Sequence, residues 1–114
     1  MPRQDQGEPY FRISLEEAKD MMENHNALVI DVRQKDEWHS GHVRGAIHIP
    51  VDDIISRTEE LSGDRDLLFI CAMGVRSGLA CEMAAAMGID TERMYNIEDG
   101  TPAWIAKDYP TEYE

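Results

Sequence analysis

The sequence contains few cysteines and lacks a long apolar run. The 114 residues include only two cysteines, too few for a disulfide framework, and a reducing compartment fits them better. No apolar segment approaches the length of about 18 residues that a membrane-spanning helix needs. Residues 1–8 contain no apolar signal core, so nothing in them supports secretion. We therefore expect a cytoplasmic protein.

Positive charge is also scarce. The chain has 11 lysines and arginines against 23 aspartates and glutamates, which gives a formal net charge of −12. So acidic a protein repels polyanions, which argues against nucleic acid and an anionic membrane surface as partners. Small anionic substrates are repelled as well, so any anion site needs a local positive field. The four histidines and two cysteines show no recognised zinc spacing, and we predict neither a metal nor a cofactor.

Short apolar segments alternate with helical patterns along the chain. Residues 1–9 are polar and predict a flexible lead-in, and residues 10–114 predict one domain. Apolar runs predict strands near residues 10–13, 27–32, 45–50, 67–71 and 94–97. This alternation predicts a three-layer α/β fold, in which a central parallel sheet of about five short strands is flanked by helices on both faces.

The helical patterns are less uniform than the strand patterns. Ser14 and Glu17 form a capping box that opens the first helix, and a single turn is expected near 36–40. A further helix is expected from Thr101. Two helices are defined by the apolar residues expected to face the core, which are Val51, Ile54, Ile55 and Leu61 over 51–61, and Leu79, Ala80, Met83, Ala84 and Met87 over 77–87.

One cysteine lies where a buried strand gives way to a glycine-containing loop and then a helix. Cys71 ends the apolar run Leu67–Cys71, at the edge of a parallel sheet where ligands bind. Three features favour its thiolate, which is the reactive form of a thiol. The next helix directs its N-terminal partial positive charge at the loop, Gly74 lets backbone amides point inward, and Arg76 adds a permanent positive charge.

Three segments of the chain carry a family resemblance. The loop Cys71–Ser77 resembles the active-site loop of the rhodanese-like sulfurtransferases. Residues 28–50, with their Gly-His-Val-Arg-Gly-Ala motif, and the segment Gly100–Trp104 resemble the upstream and C-terminal signatures of that family. The resemblance covers about residues 10–106. It implies a rhodanese-like fold, in which Cys71 attacks a sulfane-sulfur donor, carries the sulfur as a persulfide and passes it to an acceptor.

The resemblance also implies a set of site residues. Cys71 and Arg76 are predicted to be catalytic. The residues predicted to bind the outer sulfur and the leaving group, mainly through their amides, are Ala72, Met73, Gly74, Val75 and Ser77.

Structural support is expected from charged residues outside the loop. Asp31 is expected to pair with Arg44 or to cap a neighbouring loop, and Arg33 is expected to reach Glu37. Cys81, in the following helix, is expected to be a buried small hydrophobe, with a resolving disulfide to Cys71 as the alternative.

The donor and acceptor are predicted only by class. Thiosulfate, glutathione persulfide and a protein persulfide are the candidate donors, and a thiol or cyanide is the acceptor. The loop interior has no lysine or second arginine, features associated with thiosulfate, so a persulfide is favoured. We expect a monomer whose partners are these small molecules or a persulfide-bearing protein. Asp99 stands before Gly100, where relatives often have another glycine.

Other functions stay open. A non-catalytic sulfur carrier or a regulatory docking module would use the same cysteine. A phosphatase or arsenate reductase of related fold is disfavoured, because only four residues separate Cys71 from Arg76. That is one residue fewer than in the related phosphatases, and the smaller loop suits a sulfur atom better than a tetrahedral phosphate.

Overall fold

Strands and helices alternate in a computed structural model that describes residues 2–61 and 63–113. The strands are Phe11–Ile13 (β1), Leu28–Asp31 (β2), His42–Val43 (β3), Ile47–His48 (β4), Leu67–Ile70 (β5), Met94–Ile97 (β6) and Thr111–Glu112 (β7). The helices are Leu15–Asn24 (α1), Lys35–His39 (α2), Val75–Ala86 (α3) and Gly100–Ala106 (α4). Short 3-10 segments are formed by Val51–Asp53, Thr58–Leu61 and Thr91–Arg93.

Five of the strands form one parallel sheet. Their order is β1-β6-β5-β2-β4, so β5 is central and β1 and β4 are the edges. Leu28 lies opposite Leu67, and Asp31 lies opposite Ile70, so the carboxyl ends of β2 and β5 reach the same edge of the sheet. The predicted α/β fold with a central parallel sheet is confirmed.

The central strand is buried on both of its faces because helices cover both sides of the sheet. Leu67 and Phe69 pack against α3, and Leu68 and Ile70 pack in a second cluster with α1 and α4. All four side chains are almost completely buried. Each such side chain stabilises the fold by about 1.5–3 kcal/mol through removal of apolar surface from water.

The first helix begins where the sequence predicts it. Ser14 Oγ accepts a hydrogen bond from the Glu17 amide at 3.1 Å, and the Glu17 carboxylate accepts one from the Ser14 amide at 2.8 Å. These two bonds satisfy amides that a helix N-terminus otherwise leaves without partners. The capping box is confirmed.

The helix expected over residues 51–61 is not continuous, and this prediction is wrong. Two short 3-10 segments with a turn between them replace it, and Ile55 is exposed instead of facing the core. The Thr58 hydroxyl donates to the carbonyl groups of Ile54 and Ile55, both at 2.9 Å. This side-chain bonding competes with the backbone bonds that a regular helix needs.

Helix α3 buries only part of the face that was predicted. Leu79 and Met87 are about half exposed, although both were expected to point inward. Ala80 and Ala84 are buried as predicted, and Met83 is partly buried. The other buried residues of the helix are small and comprise Ser77, Gly78 and Cys81. Small side chains let the helix axis approach the sheet closely, and the larger apolar residues lie at the margins of the contact.

Two further features complete the fold. Strands β3 and β7 form a small antiparallel sheet that the sequence pattern does not predict. In the lead-in, Arg3 forms an antiparallel bridge with Arg12, and its guanidinium binds Glu98. Within residues 2–61 and 63–113, no helix combines the length and apolar character needed to cross a membrane.

Candidate active site

Cys71 follows the central strand of the sheet. Because side chains alternate along a strand, Cys71 continues the face of Leu67 and Phe69, which points toward α3. Its sulfur therefore lies at the carboxyl edge of the sheet, between β2 and β6. This edge is where open parallel sheets bind their ligands.

Backbone amides of the following loop point at the sulfur. The amides of Gly74 and Ser77 donate to Cys71 Sγ at 3.1 and 3.3 Å. Gly74 has a φ of +86°, a left-handed conformation that glycine adopts without strain, and a Cβ there would lie 2.9 Å from the Glu98 carbonyl oxygen. Helix α3 begins at the next residue, so its N-terminal partial positive charge also faces the loop.

The cysteine loop is pressed against the turn that opens α4. A Cβ on Gly100 would lie 1.9 Å from the carbonyl oxygen of Ala72, so no other residue fits there without displacing the loop. The Thr101 amide donates to the carbonyl oxygen of Cys71 at 2.8 Å. Asp99 has a φ of −75° and a ψ of −25°, which any residue adopts, so this turn needs no second glycine.

Two polar side chains connect the sulfur with β6. The Ser77 hydroxyl lies 3.3 Å from Cys71 Sγ and donates to Asn96 Oδ1 at 2.6 Å. Asn96 Nδ2 in turn donates to the Gly74 carbonyl oxygen at 3.0 Å. The sequence pattern points to the backbone of Ser77 and does not single out Asn96. The one signal for Asn96 is a polar residue in a strand that is otherwise apolar and buried.

Burial and hydrogen bonding act in opposite directions on the Cys71 thiol. The residue is 1% exposed, and burial raises the pKa of its thiol. When the thiol ionises, the Ser77 hydroxyl can turn to the sulfur, and its hydrogen bond, together with those from the amides of Ser77, Met73 and Gly74, lowers the pKa by more than burial raises it. The pKa of Cys71 therefore lies below the ordinary value for cysteine, so a larger fraction of Cys71 is ionised at neutral pH than of a free cysteine.

Arg76 is occupied by a carboxylate. Its guanidinium donates to both oxygens of Glu37, at 2.7 and 2.9 Å. These hydrogen bonds lower the pKa of Glu37 to about 2. The prediction that Arg33 reaches Glu37 is wrong, because the Arg33 guanidinium binds Asp31 and the Gly41 carbonyl group instead. The positive charge expected beside the cysteine is present, but it is largely neutralised by its partner.

Asp31 and Arg33 form a buried ion pair. Arg33 Nη2 lies 2.7 Å from an Asp31 carboxylate oxygen. Of the two roles predicted for Asp31, the pair with Arg44 is wrong, but the loop cap is confirmed, because the Asp31 carboxylate accepts a hydrogen bond from the Arg33 amide at 3.0 Å. Asp31 and Arg33 are two positions apart on an extended segment, so their side chains share a face. Arg44 follows β3, where its amide binds the Pro110 carbonyl group and its side chain is exposed.

Apolar side chains of the loop face the solvent. Met73 and Val75 are 78% and 76% exposed, and Leu79 continues this apolar surface one turn further along α3. A groove of about 410 Å³ runs beside the loop and is lined by residues that include Met73, Gly74 and Asn96. Gly74 therefore contacts the sulfur through its amide and borders the groove.

The histidines near the site make structural contacts. Trp38 stacks on His42 with ring centroids 3.4 Å apart and on His48 with centroids 4.8 Å apart. His42 Nδ1 bonds to the Trp38 carbonyl oxygen, and His48 Nε2 bonds to the Arg33 carbonyl oxygen. Backbone carbonyl groups therefore hold both rings in place.

Cys81 lies inside the core at the buried face of α3. It is fully buried, and burial raises the pKa of its thiol well above the ordinary value. Cys71 and Cys81 are both free thiols. In the part of the chain that the structure describes, no group of three or more histidine, cysteine, aspartate or glutamate side chains could hold a metal ion.

Comparison with known proteins agrees with this arrangement. A family profile described as Rhodanese-like domain matches residues 14–107. The chain belongs to the rhodanese-like domain family. A rhodanese-related protein from Thermoplasma volcanium has a crystal structure that superimposes with a TM-score of 0.74 at 31% identity, covering 90% of this chain and 98% of that one.

Relatives of this rhodanese-like domain include sulfur-handling proteins of Bacillus subtilis. YtwF, which is named as a sulfurtransferase, is 34% identical over 86% of this chain and 93% of its own length. YrkF, which is named as a sulfur carrier protein, is 30% identical over 83% of this chain and 51% of its own length. This rhodanese-like domain thus spans about half the length of YrkF and nearly the whole of YtwF.

Proposed function

We propose that this rhodanese-like domain is a sulfurtransferase that carries a sulfane sulfur on Cys71 as a persulfide. The proposal rests on the hydrogen bonds to the Cys71 sulfur, which the amides of Gly74 and Ser77 donate at 3.1 and 3.3 Å. Donors fixed in this way stabilise negative charge on sulfur without having to reorganise during the reaction. The name of the relative YtwF supports the same activity.

The reaction consists of two displacements on sulfur. In the first, the Cys71 thiolate attacks the outer sulfur of a donor R–S–SH; a new S–S bond forms, the S–S bond of the donor breaks, and the thiol R–SH leaves with the proton. In the second, an acceptor thiolate attacks the outer sulfur of the Cys71 persulfide, and the Cys71 thiolate is released. No electrons are gained or lost overall, and the covalent intermediate gives ping-pong kinetics.

A persulfide is the donor that this site supports best. Thiosulfate carries two negative charges on a small group and needs cationic residues around the sulfur. Arg76 is paired with Glu37, and the chain has a net charge of −12, so thiosulfate meets little attraction. The exposed apolar side chains of Met73 and Val75 favour an organic persulfide, either glutathione persulfide or a persulfide on a protein.

Intact-mass spectrometry tests the cysteine assignment directly. After incubation with glutathione persulfide and removal of excess donor, the wild-type protein should gain the mass of one sulfur atom. Addition of a thiol such as dithiothreitol should remove that mass and release sulfide. Cys71→Ser should gain nothing, because the nucleophile is absent, and Cys81→Ser should load like the wild type. A sulfur retained in Cys71→Ser would contradict the proposal.

A second function, that of a sulfur carrier, is favoured by one specific observation. YrkF, of whose length this domain spans about half, is named as a sulfur carrier protein. A carrier would load in the experiment above but would not turn over repeatedly with free thiols. Several turnovers per protein with glutathione persulfide and a free thiol therefore support the enzyme over the carrier. Hydrolysis of an aryl phosphate would instead support the phosphatase alternative.

A further inference from the structure

The Ser77 hydroxyl has two buried neighbours and only one hydrogen to donate. Its oxygen lies 3.3 Å from Cys71 Sγ and 2.6 Å from Asn96 Oδ1. All three residues are at most 2% exposed, so water does not supply a substitute hydrogen bond from the surface. The destination of this one hydrogen therefore affects the ionisation of Cys71.

The orientation of the Asn96 amide decides where the hydrogen goes. Asn96 Nδ2 donates to the Gly74 carbonyl oxygen at 3.0 Å. A flipped amide would place two acceptor oxygens against each other there, so Oδ1 must face Ser77. An amide oxygen can only accept, and the Ser77 hydroxyl therefore donates to Asn96. Toward Cys71 the hydroxyl presents a lone pair.

This geometry favours some states of Cys71 over others. A protonated thiol donates to Ser77, which donates to Asn96, and all three groups are satisfied. A bare thiolate can only accept, so the hydroxyl must turn toward the sulfur and leave Asn96 Oδ1 buried without a donor. In a persulfide the negative charge lies on the outer sulfur, so the inner sulfur makes no such demand.

We propose that Asn96 is a positioning residue that acts on Cys71 through Ser77. By holding the only hydroxyl hydrogen, Asn96 stabilises the thiol and the loaded persulfide relative to the bare thiolate. The persulfide part of this inference rests on the proposed sulfurtransferase function, whereas the effect on the thiol does not. In functional terms, Asn96 protects an empty Cys71 from alkylation and oxidation between turnovers.

The charged groups around the site are held by partners other than Asn96. Arg76 faces Cys71 from α3 and is held by Glu37 of α2. On the far side, β1 presents Arg12, which is paired with Glu8 and Glu98.

Two further titratable groups, Tyr10 and Cys81, are uncharged near neutral pH. Burial and the hydrogen bond that its hydroxyl donates to the Glu8 carboxylate raise the pKa of Tyr10 to about 12. Cys81 on α3 is held neutral by burial, which raises its pKa. A changed titration of Cys71 in an Asn96 variant is therefore attributable to the Ser77 hydroxyl.

A thiol titration of the full chain tests this inference without any sulfur donor. The parent is Cys81→Ser, so that Cys71 is the only thiol, and its midpoint is read from thiolate absorbance and from the pH dependence of alkylation by iodoacetamide. Asn96→Leu should lower the midpoint by about one pH unit, because the freed hydroxyl donates to the thiolate. A merely structural role predicts the opposite, since a loosened loop loses its amide donors and the midpoint rises.

A double-mutant cycle separates the two explanations further. In a Ser77→Ala background, Asn96→Leu should leave the midpoint unchanged, because no hydroxyl remains to be redirected. An unchanged or higher midpoint in Asn96→Leu, or an equal shift in both backgrounds, would overturn the inference. Asn96→Ala, which is smaller and cannot crowd Tyr10 or Gly78, is scored in the same way if the leucine variant does not fold. Persulfide loading is measured separately, so loss of the proposed function and loss of this inference are distinguishable.

Discussion

A single carboxylate determines how much of the Arg76 charge a donor meets. The Nη1 and Nη2 atoms of Arg76 donate to the two carboxylate oxygens of Glu37, at 2.7 and 2.9 Å. Each of the two side chains is 32% exposed. A charge paired in this way attracts a third group weakly, because the fields of the two partners oppose each other. The preference for a persulfide over thiosulfate is therefore expected to depend on Glu37.

Glu37→Gln should shift the donor preference toward thiosulfate. In the wild type, kcat/KM should be higher with glutathione persulfide than with thiosulfate. The substitution leaves Arg76 with a net positive charge, so kcat/KM for thiosulfate should rise about tenfold and that for glutathione persulfide should change less. Steady-state kinetics with both donors measure this.

A control separates the local effect from the change in net charge. Glu23→Gln removes the same charge from an exposed pair with Lys19 on α1, which packs on the other face of the sheet. Its donor preference should match that of the wild type. An equal gain with thiosulfate in both variants would show that net charge, and not the release of Arg76, controls the preference.

The sequence pattern describes the packing of helix α3 only in part. Its apolar residues recur at helical spacing, but the sheet contacts the small residues Ala80, Cys81 and Ala84. A hydrophobic pattern records which residues are apolar and does not record how closely the helix approaches its neighbour. The face of the helix follows from that distance, which depends on the strands beneath.

A substitution on the buried face of α3 should therefore lower the free energy of unfolding more than one on the exposed face, even though the exposed residue is larger. Ala84→Leu adds volume at a fully buried position and should lower the free energy of unfolding by about 1–3 kcal/mol. Leu79→Ala removes volume at a half-exposed position and should change it by less than about 1 kcal/mol. Urea unfolding followed by circular dichroism measures both. A larger loss in Leu79→Ala would contradict the observed register.

Other elements differ in how far local chemistry determines them. Ser14 and Glu17 form a cap within four consecutive residues, and the strand Leu67–Ile70 is a continuous apolar run, so both follow from the sequence. The break in residues 51–61 coincides with a threonine hydroxyl that bonds two carbonyl groups, a competing interaction that a periodic pattern does not reveal. The pairing of β3 with β7 joins segments far apart in the chain and has no local signal.

The same distinction holds for the candidate site. Cys71 and Gly74 are found from the sequence because strand, loop and helix are adjacent in the chain. Glu37 and Asn96 come from distant segments, and the sheet alone brings them to the loop. Arg76 binds the carboxylate of Glu37, which was expected to pair with Arg33, because carboxylates are plentiful in this acidic chain and only packing selects between them.

The molecule as a whole should lose stability in acid through a few paired carboxylates. The pKa values of Glu8 and Glu37 are lowered from 4.5 to about 2, mainly by hydrogen bonds from Arg12 and Arg76. In the unfolded chain these pairs are absent, so the unfolded state binds more protons between the two values. Stability is therefore complete above about pH 5 and decreases as the pH falls toward 2.

Urea unfolding at a series of pH values tests this dependence. The free energy of unfolding should decrease steadily from about pH 5 to about pH 2. Glu37→Gln should make the decrease shallower, because one of the responsible carboxylates is missing. A free energy of unfolding that stays constant over this range, or a slope that Glu37→Gln leaves unchanged, would contradict the attribution.

The contact of Gly100 with Ala72 has a consequence for anyone who would move this site to another scaffold. A Cβ at Gly100 would lie 1.9 Å from the Ala72 carbonyl oxygen, so the turn packs directly against the cysteine loop and fixes its conformation. Transplanting Cys71–Ser77 alone would deliver the nucleophile without the surface that shapes its amides. A graft needs both pieces, although 22 residues, about one-fifth of the chain, lie between Ser77 and Gly100.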